Sequence, residues 1–199
     1  MEKLKKWDEA LFLYLNGLHQ DWLDPAMDML SDKWTWMPLY VFLLLLIFKH
    51  FKTGGIWILA GVGFTILLAD QSTSGIMKPF FERLRPCHDS RWEELMFNYG
   101  GCGGMYGFAS SHAANTFGVA TFLTLAFRQK LKGFGWLFLW AALVSYTRVY
   151  LGVHYPLDII VGAAAGAVCA WLAWFLLRRG FLVFAERPRR RRKEQGSNG

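Results

Sequence analysis

The stretch that decides the fold is TRVYLGVHYPLD, residues 147–158, in which an Arg, a His and an Asp fall between two apolar runs. Two further pieces belong with it, KPFFERLRP at 78–86 and FASSH at 108–112. Each lies at or near the end of a segment that reads as a membrane span. Ionisable side chains at such depth are costly, and their default reading is a functional site. The rest of the chain reads as a scaffold holding the three pieces on one side of a bilayer.

Working outward, the 199 residues suffice for one domain. A content of 54% hydrophobic residues, with 10 Trp and 17 Phe, is too apolar for an ordinary soluble domain. The apolar runs predict five transmembrane spans, at about 34–51, 55–77, 111–127, 134–150 and 156–179. Ahead of them, Leu4, Trp7, Leu11, Tyr14, Leu15 and Leu18 make one helical stripe, too short to cross a bilayer. It reads as an interfacial helix, with a short crossing as the lesser option. Asp24 and Pro25, an N-cap followed by a first-turn proline, open a second short helix. The fold expected is therefore all-α: a polytopic membrane helix bundle with short N-terminal interfacial helices. One domain covers 1–184, with interfacial helices in 1–33 and the core in 34–180. Residues 185–199 form a polar, Arg-rich tail whose composition predicts disorder. Gly162 and Gly166 suit close helix packing. Trp34, Trp36, Trp136, Trp140, Trp171 and Trp174, near span ends, suit an aromatic belt.

The net charge of +7 is mostly a property of the tail, since residues 178–199 hold eight Arg/Lys and two Glu, a net +6 (8 − 2). Beside these spans a basic run reads as contact with anionic membrane lipid, not nucleic acid. Residues 10–18 are apolar, but no small-residue cleavage site follows them, so no signal peptide is read. The turns 49–52 and 128–132, the latter with Arg128, Lys130 and Lys132, fall on the same side as the tail. Basic residues in short loops mark the cytoplasm. Loops 79–110 and 151–156 then face outward, and the basic residues they carry run against that rule, as expected of groups kept for a ligand.

The chemistry follows from residue types. Asp158, four residues after His154, can hold one imidazole nitrogen and leave the other free as a nucleophile. Ser110 and Ser111 start a span whose exposed N–H groups favour an anion, and His112 can hand a proton to a departing oxygen. Lys78, Arg85 and Arg148 are natural holders of phosphate oxygens. Taken singly, each has a plain reading as a snorkelling cation, a capped His or an N-cap. Taken together they predict phosphoryl transfer. No acidic cluster suited to Mg²⁺ and no HExxH pattern occurs, so neither metal nor cofactor is expected.

The order and spacing resemble the type 2 phosphatidic acid phosphatase superfamily. Its first element, a Lys, six residues and Arg-Pro, is matched at Lys78, Arg85 and Pro86. Its Pro-Ser-Gly-His appears as Ala109, Ser110, Ser111 and His112. Its Ser-Arg, His and Asp appear as Thr147, Arg148, His154 and Asp158. The resemblance implies that His154 forms a phosphohistidine, with Asp158 orienting it and His112 acting as acid and then base. Lys78, Arg85, Ser110 and Arg148 become phosphate binders. Ser111, in place of Gly, adds a hydroxyl contact or narrows the pocket. The implied substrate is a lipid-linked phosphate or pyrophosphate, first of all undecaprenyl pyrophosphate, with lipid A and phosphatidylglycerophosphate as alternatives. The implied setting is a bacterial inner membrane, with the site facing the periplasm and the C-terminus in the cytoplasm. The rival of another class is a lipid-binding or transport module, which needs the cations but neither His. The sequence carries no signal for oligomeric state.

Two features stand beside the motifs. Asp70, Ser74 and Lys78 share a helix face, so Asp70 either supports the site or makes a plain interhelical hydrogen bond. Cys87 and Cys102, in an outward loop, are a disulfide candidate, with two free thiols as the alternative.

Overall fold

Helix is the dominant state of the chain in a computed structural model that describes residues 2–131 and 133–196, with side chains as far as Arg178. Among the described residues the α-helices are α1 Glu2–Asn16, α2 Asp24–Ser31, α3 Met37–Phe51, α4 Gly55–Asp70, α5 Lys78–Phe81, α6 Ser111–Phe127, α7 Trp136–Tyr150 and α8 Pro156–Gly196. A π-helical stretch, Gln71–Met77, joins α4 to α5. The only β pairing among the described residues is an isolated bridge between Leu84 and Tyr106. The fold is thus all-helical, as the apolar runs require. Lys132, expected to help close its turn, and residues 197–199 of the tail lie outside the described residues.

The tightest contact is between α6 and α8, and small residues cause it. A Cβ on Gly162 would overlap the Ser110 carbonyl, and one on Gly166 would overlap the Ala114 carbonyl. Residues 162 and 166 advance together with 110 and 114, so the two helices run parallel. Both therefore begin at the same end, where the Ser110 N–H donates to the Asp158 carbonyl at 3.0 Å. Towards the other end, Phe51, Phe127, Phe134 and Leu137 pack into the main apolar core.

Large apolar side chains remain on the outside. Val41, Phe42, Leu45 and Phe48 on α3, and Ile160, Val168, Trp171 and Leu176 on α8, are exposed. Apolar surface of that extent suits lipid, not water. Among the described residues, two helical stretches are long and apolar enough to cross a membrane, Lys33–Phe81, which includes the turn at 52–54, and Pro156–Arg178. With 17 and 15 residues, α6 and α7 fall short of the roughly 20 that cover a hydrocarbon core.

The N-terminal helix turns its expected stripe outward. Leu4, Trp7, Leu11 and Tyr14 are exposed, whereas Asp8, Phe12 and Asn16 are buried. Asn16 donates to the Tyr150 carbonyl at 2.8 Å and to the Phe97 carbonyl at 2.9 Å, and accepts from the Phe97 N–H at 2.8 Å. The inward face of α1 carries polar groups beside Phe12 because it meets backbone groups freed at a helix end. Asp24 does not cap α2: Leu23 holds that position, and Asp24 instead accepts from the Tyr150 hydroxyl at 2.7 Å. At the far end the backbone of α8 stays helical to Gly196, through residues whose composition predicted a disordered tail. Arg, Lys, Glu and Gln are good helix formers.

Gly166→Ala should lower stability by about 1–3 kcal/mol, because the neighbour it meets is backbone. Gly63→Ala, with nothing within 4 Å of its Cβ, should be near neutral. Thermal unfolding of the two variants in detergent checks this.

Candidate active site

The π-helical turn carries the first cation into place, an irregularity that often marks functional sites. Lys78 Nζ donates to Ser74 Oγ at 3.2 Å and to Ser111 Oγ at 2.9 Å. Ser74 Oγ donates to Asp70 at 3.2 Å. Ser111 Oγ lies 2.8 Å from Ser74 Oγ and 3.0 Å from Thr73 Oγ1. The Ser that departs from the motif is therefore the point where α5 is tied to α6. Asp70 is the far end of the same chain of bonds.

Arg85 arrives on an extended segment. Its N–H donates to the Met105 carbonyl at 3.1 Å, and the Gly107 N–H donates to the Arg83 carbonyl at 2.9 Å. The guanidinium of Arg85 donates to the Cys102 carbonyl at 2.9 Å and to the Tyr106 carbonyl at 3.3 Å. Cys87 and Cys102 form a disulfide, with Cα atoms 5.8 Å apart. It closes the loop whose carbonyls aim Arg85. Burial pushes the Arg85 guanidinium below its ordinary value, against the pull of Asp158.

The α6 and α7 ends supply the next groups. Ser110 is fully buried and caps α6, its hydroxyl accepting from the Ala113 N–H at 3.5 Å. His112 follows in the first turn. Arg148, in the last turn of α7, donates to the Ser31 hydroxyl of α2. Its carbonyl accepts from the N–H groups of Val153 and His154, at 3.0 and 3.1 Å. The chain reverses at Gly152, where φ is +77° and a Cβ would meet the Phe97 carbonyl. That reversal delivers His154.

His154 and Asp158 form a pair sealed from solvent, with 1% and 0% exposure. His154 Nδ1 lies 3.3 Å from Asp158 Oδ2, which also accepts from the Tyr155 N–H at 3.0 Å. With Nδ1–H directed at the carboxylate, Nε2 is left with its lone pair. Gly107 leaves little room for a side chain here, since a Cβ would stand 3.0 Å from Asp158 Oδ2 and 3.2 Å from Arg85 Cγ. Burial pushes His154 below the ordinary imidazole value; Asp158 opposes this, and Arg85 and Arg148 add to it.

The pieces converge. His112 lies within electrostatic range of Arg148, His154, Arg85 and Lys78. A cavity of about 290 Å³ is lined by Arg85, Arg148, Asp28 and Cys102, and one of about 560 Å³ by His112, Arg148, Ser31 and Lys33. Arg148 lines both. Among the described residues, the group spaced to hold a cation is His19, Asp21 and Asp24, which includes none of these side chains.

Sequence reasoning missed Arg83 and Asp8. Arg83 donates to Asp158 Oδ1 at 3.0 Å and to Asp8 Oδ2 at 2.6 Å. Asp8 Oδ1 accepts from the Leu157 N–H, in the first turn of α8, at 2.7 Å. Nothing in the spacing of a polar helix face marks Asp8 as buried.

A buried imidazole–carboxylate pair thus lies where α6 and α8 begin, with Arg85 and Arg148 close to it. The chain belongs to the PAP2 superfamily, whose family model matches residues 54–181. It is 37% identical over 183 residues to a lipid A 4'-phosphatase of Bacteroides thetaiotaomicron, covering 90% of this chain and 80% of that one. It is 32% identical over 143 residues to an undecaprenyl-diphosphatase of Sulfolobus acidocaldarius, covering 71% and 63%. The crystal structure of Aquifex aeolicus LpxE superposes with a TM-score of 0.60 at 27% identity, covering 82% of this chain and 92% of that one.

Reducing the Cys87–Cys102 disulfide should cost about 3 kcal/mol, the scale for closing a loop of this length. Unfolding of Cys87→Ser beside the parent protein, with and without dithiothreitol, checks this: only the parent should respond to the reductant.

Proposed function

We propose that the protein is a metal-independent lipid phosphatase that removes phosphate from a lipid-linked phosphate or pyrophosphate through a phosphohistidine. The observation that carries this reading is the sealed His154–Asp158 pair with Lys78, Arg85, Arg148 and His112 about it. His154 Nε2 attacks the terminal phosphorus in line, and its bond to the leaving oxygen breaks, that of the sugar or lipid in a monoester and that of the inner phosphate in a pyrophosphate. His112 protonates that oxygen as it leaves, and then takes a proton from the water that hydrolyses the phosphohistidine. Lys78, Arg85, Arg148 and the N-terminus of α6 hold the charge that gathers on the three remaining oxygens. Ser111 and Asp70 act at one remove, by fixing Lys78.

For the substrate, the relatives favour lipid A over undecaprenyl pyrophosphate, the first expectation from sequence. The lipid A 4'-phosphatase matches more of both chains, and at higher identity, than the undecaprenyl-diphosphatase does. The second reading rests on that latter likeness. In either case five crossings are proposed, with the site facing the periplasm of a bacterial inner membrane and the C-terminus in the cytoplasm. The basic turns and tail support that orientation.

Phosphate release in detergent, from lipid A and from undecaprenyl pyrophosphate, tests the reading. Lipid A should be the better substrate. His154→Ala should abolish release, and His112→Ala should lower kcat by about 10²–10⁴-fold, with both variants unfolding like the parent. Vanadate should inhibit and EDTA should not. Full activity in either variant would overturn the mechanism. The acid limb of kcat/KM should lie below the ordinary imidazole range of about 6.5, because a buried His154 stays neutral to lower pH.

A further inference from the structure

We propose that Arg83 and Asp8 are positioning residues for the His154–Asp158 pair, so that the N-terminal helix completes the site. The inference rests on the proposed phosphatase reading and adds a part to it from outside the family's matched region, 54–181.

The geometry is a single line of bonds. Asp8 holds Arg83, Arg83 holds Asp158 Oδ1, and Asp158 Oδ2 holds His154. The side chains of Asp8 and Asp158 are 4% and 0% exposed and that of Arg83 is 20% exposed, so little water competes for these bonds. The Arg83 guanidinium also lies 4.0 Å from the ring centroid of Tyr155, the residue after His154. The other oxygen of Asp8 accepts from the Leu157 N–H, which fixes the first turn of α8, where Asp158 sits. Asp8 therefore acts on Asp158 twice, through Arg83 and through the backbone.

A carboxylate with two oxygens in different duties can rotate if one duty is lost. Arg83 stops that rotation. It also offsets part of the Asp158 charge that would otherwise favour a protonated His154. The other charged or titratable groups about His154 are Arg85 on the extended segment, Arg148 on α7 and His112 on α6. Lys78 on α5 bears on Asp158, as does Asp8 on α1.

The test uses the full chain in detergent, with whichever of lipid A and undecaprenyl pyrophosphate the parent hydrolyses. Arg83→Gln should lower kcat by about tenfold or more with KM little changed, the scale of a misplaced reacting group. Its acid limb should move to higher pH. Arg83→Lys should recover part of the rate. Asp8→Asn should lower kcat in the same way, and the double variant should be no slower than Arg83→Gln alone, because Asn keeps an oxygen for the Leu157 N–H and loses only the arm that runs through Arg83. Phe12→Leu, on the same inward face of α1, should lower the unfolding temperature and leave kcat and the limb in place. If Arg83→Gln does not fold, Arg83→Lys and Asp8→Asn carry the same comparison. The inference is overturned if the Arg83 and Asp8 variants behave like Phe12→Leu, or if their effects on kcat multiply. A parent protein that hydrolyses neither lipid overturns the phosphatase reading instead.

Discussion

The constraint on which the rest depends is the burial of the Asp158 carboxylate. A charge removed from water is tolerable only when its lone pairs are filled. Asp158 fills them from three directions: the Arg83 guanidinium, the Tyr155 N–H and the His154 ring. Each bond fixes a different piece of chain, so one carboxylate sets the position of the extended segment, the reversal after α7 and the start of α8. The imidazole that results is oriented before any ligand arrives.

The same logic explains the N-terminal helix. The reversal at 151–155 leaves free carbonyls at the end of α7 and free N–H groups at the start of α8. Asn16 takes the first and Asp8 the second. A helix with apolar residues outside, and Asp8 and Asn16 beside Phe12 inside, looks inverted only against a soluble reference. Beside lipid, the outer face is the apolar one, and the inner face serves backbone groups that no water reaches.

Much of this was legible in the sequence. The apolar runs located the long helices, and the three motif pieces named the groups that meet around His154. For Cys87 and Cys102 the sequence left a disulfide and two free thiols open, and the structure has the disulfide. What stayed hidden was hidden for physical reasons. Asp8 lies on a helix face whose polarity is equally consistent with solvent. Arg83 stands between motif residues, and only the pairing of 83–85 with 105–107 turns it towards Asp158. Ser111 left two readings open, a contact or a narrowed pocket, and the position of Lys78 supplies the contact. The motifs put undecaprenyl pyrophosphate first and the similarity to lipid A 4'-phosphatases points to the alternative, because the walls that tell one lipid from another carry no motif.

The shared direction of α6 and α8 has one more consequence. Aligned peptide dipoles give each helix about half a positive charge at its leading end. Two such ends lie side by side here, joined by the bond from Ser110 to Asp158. Parallel dipoles repel laterally, and the glycines that let the rods touch bring that repulsion to close range. A negative group near the common tip eases both rods, and Asp8 already supplies one at the start of α8. The field at that tip is therefore set as much by the glycine spacing along two helices, well away from it, as by the side chains around it.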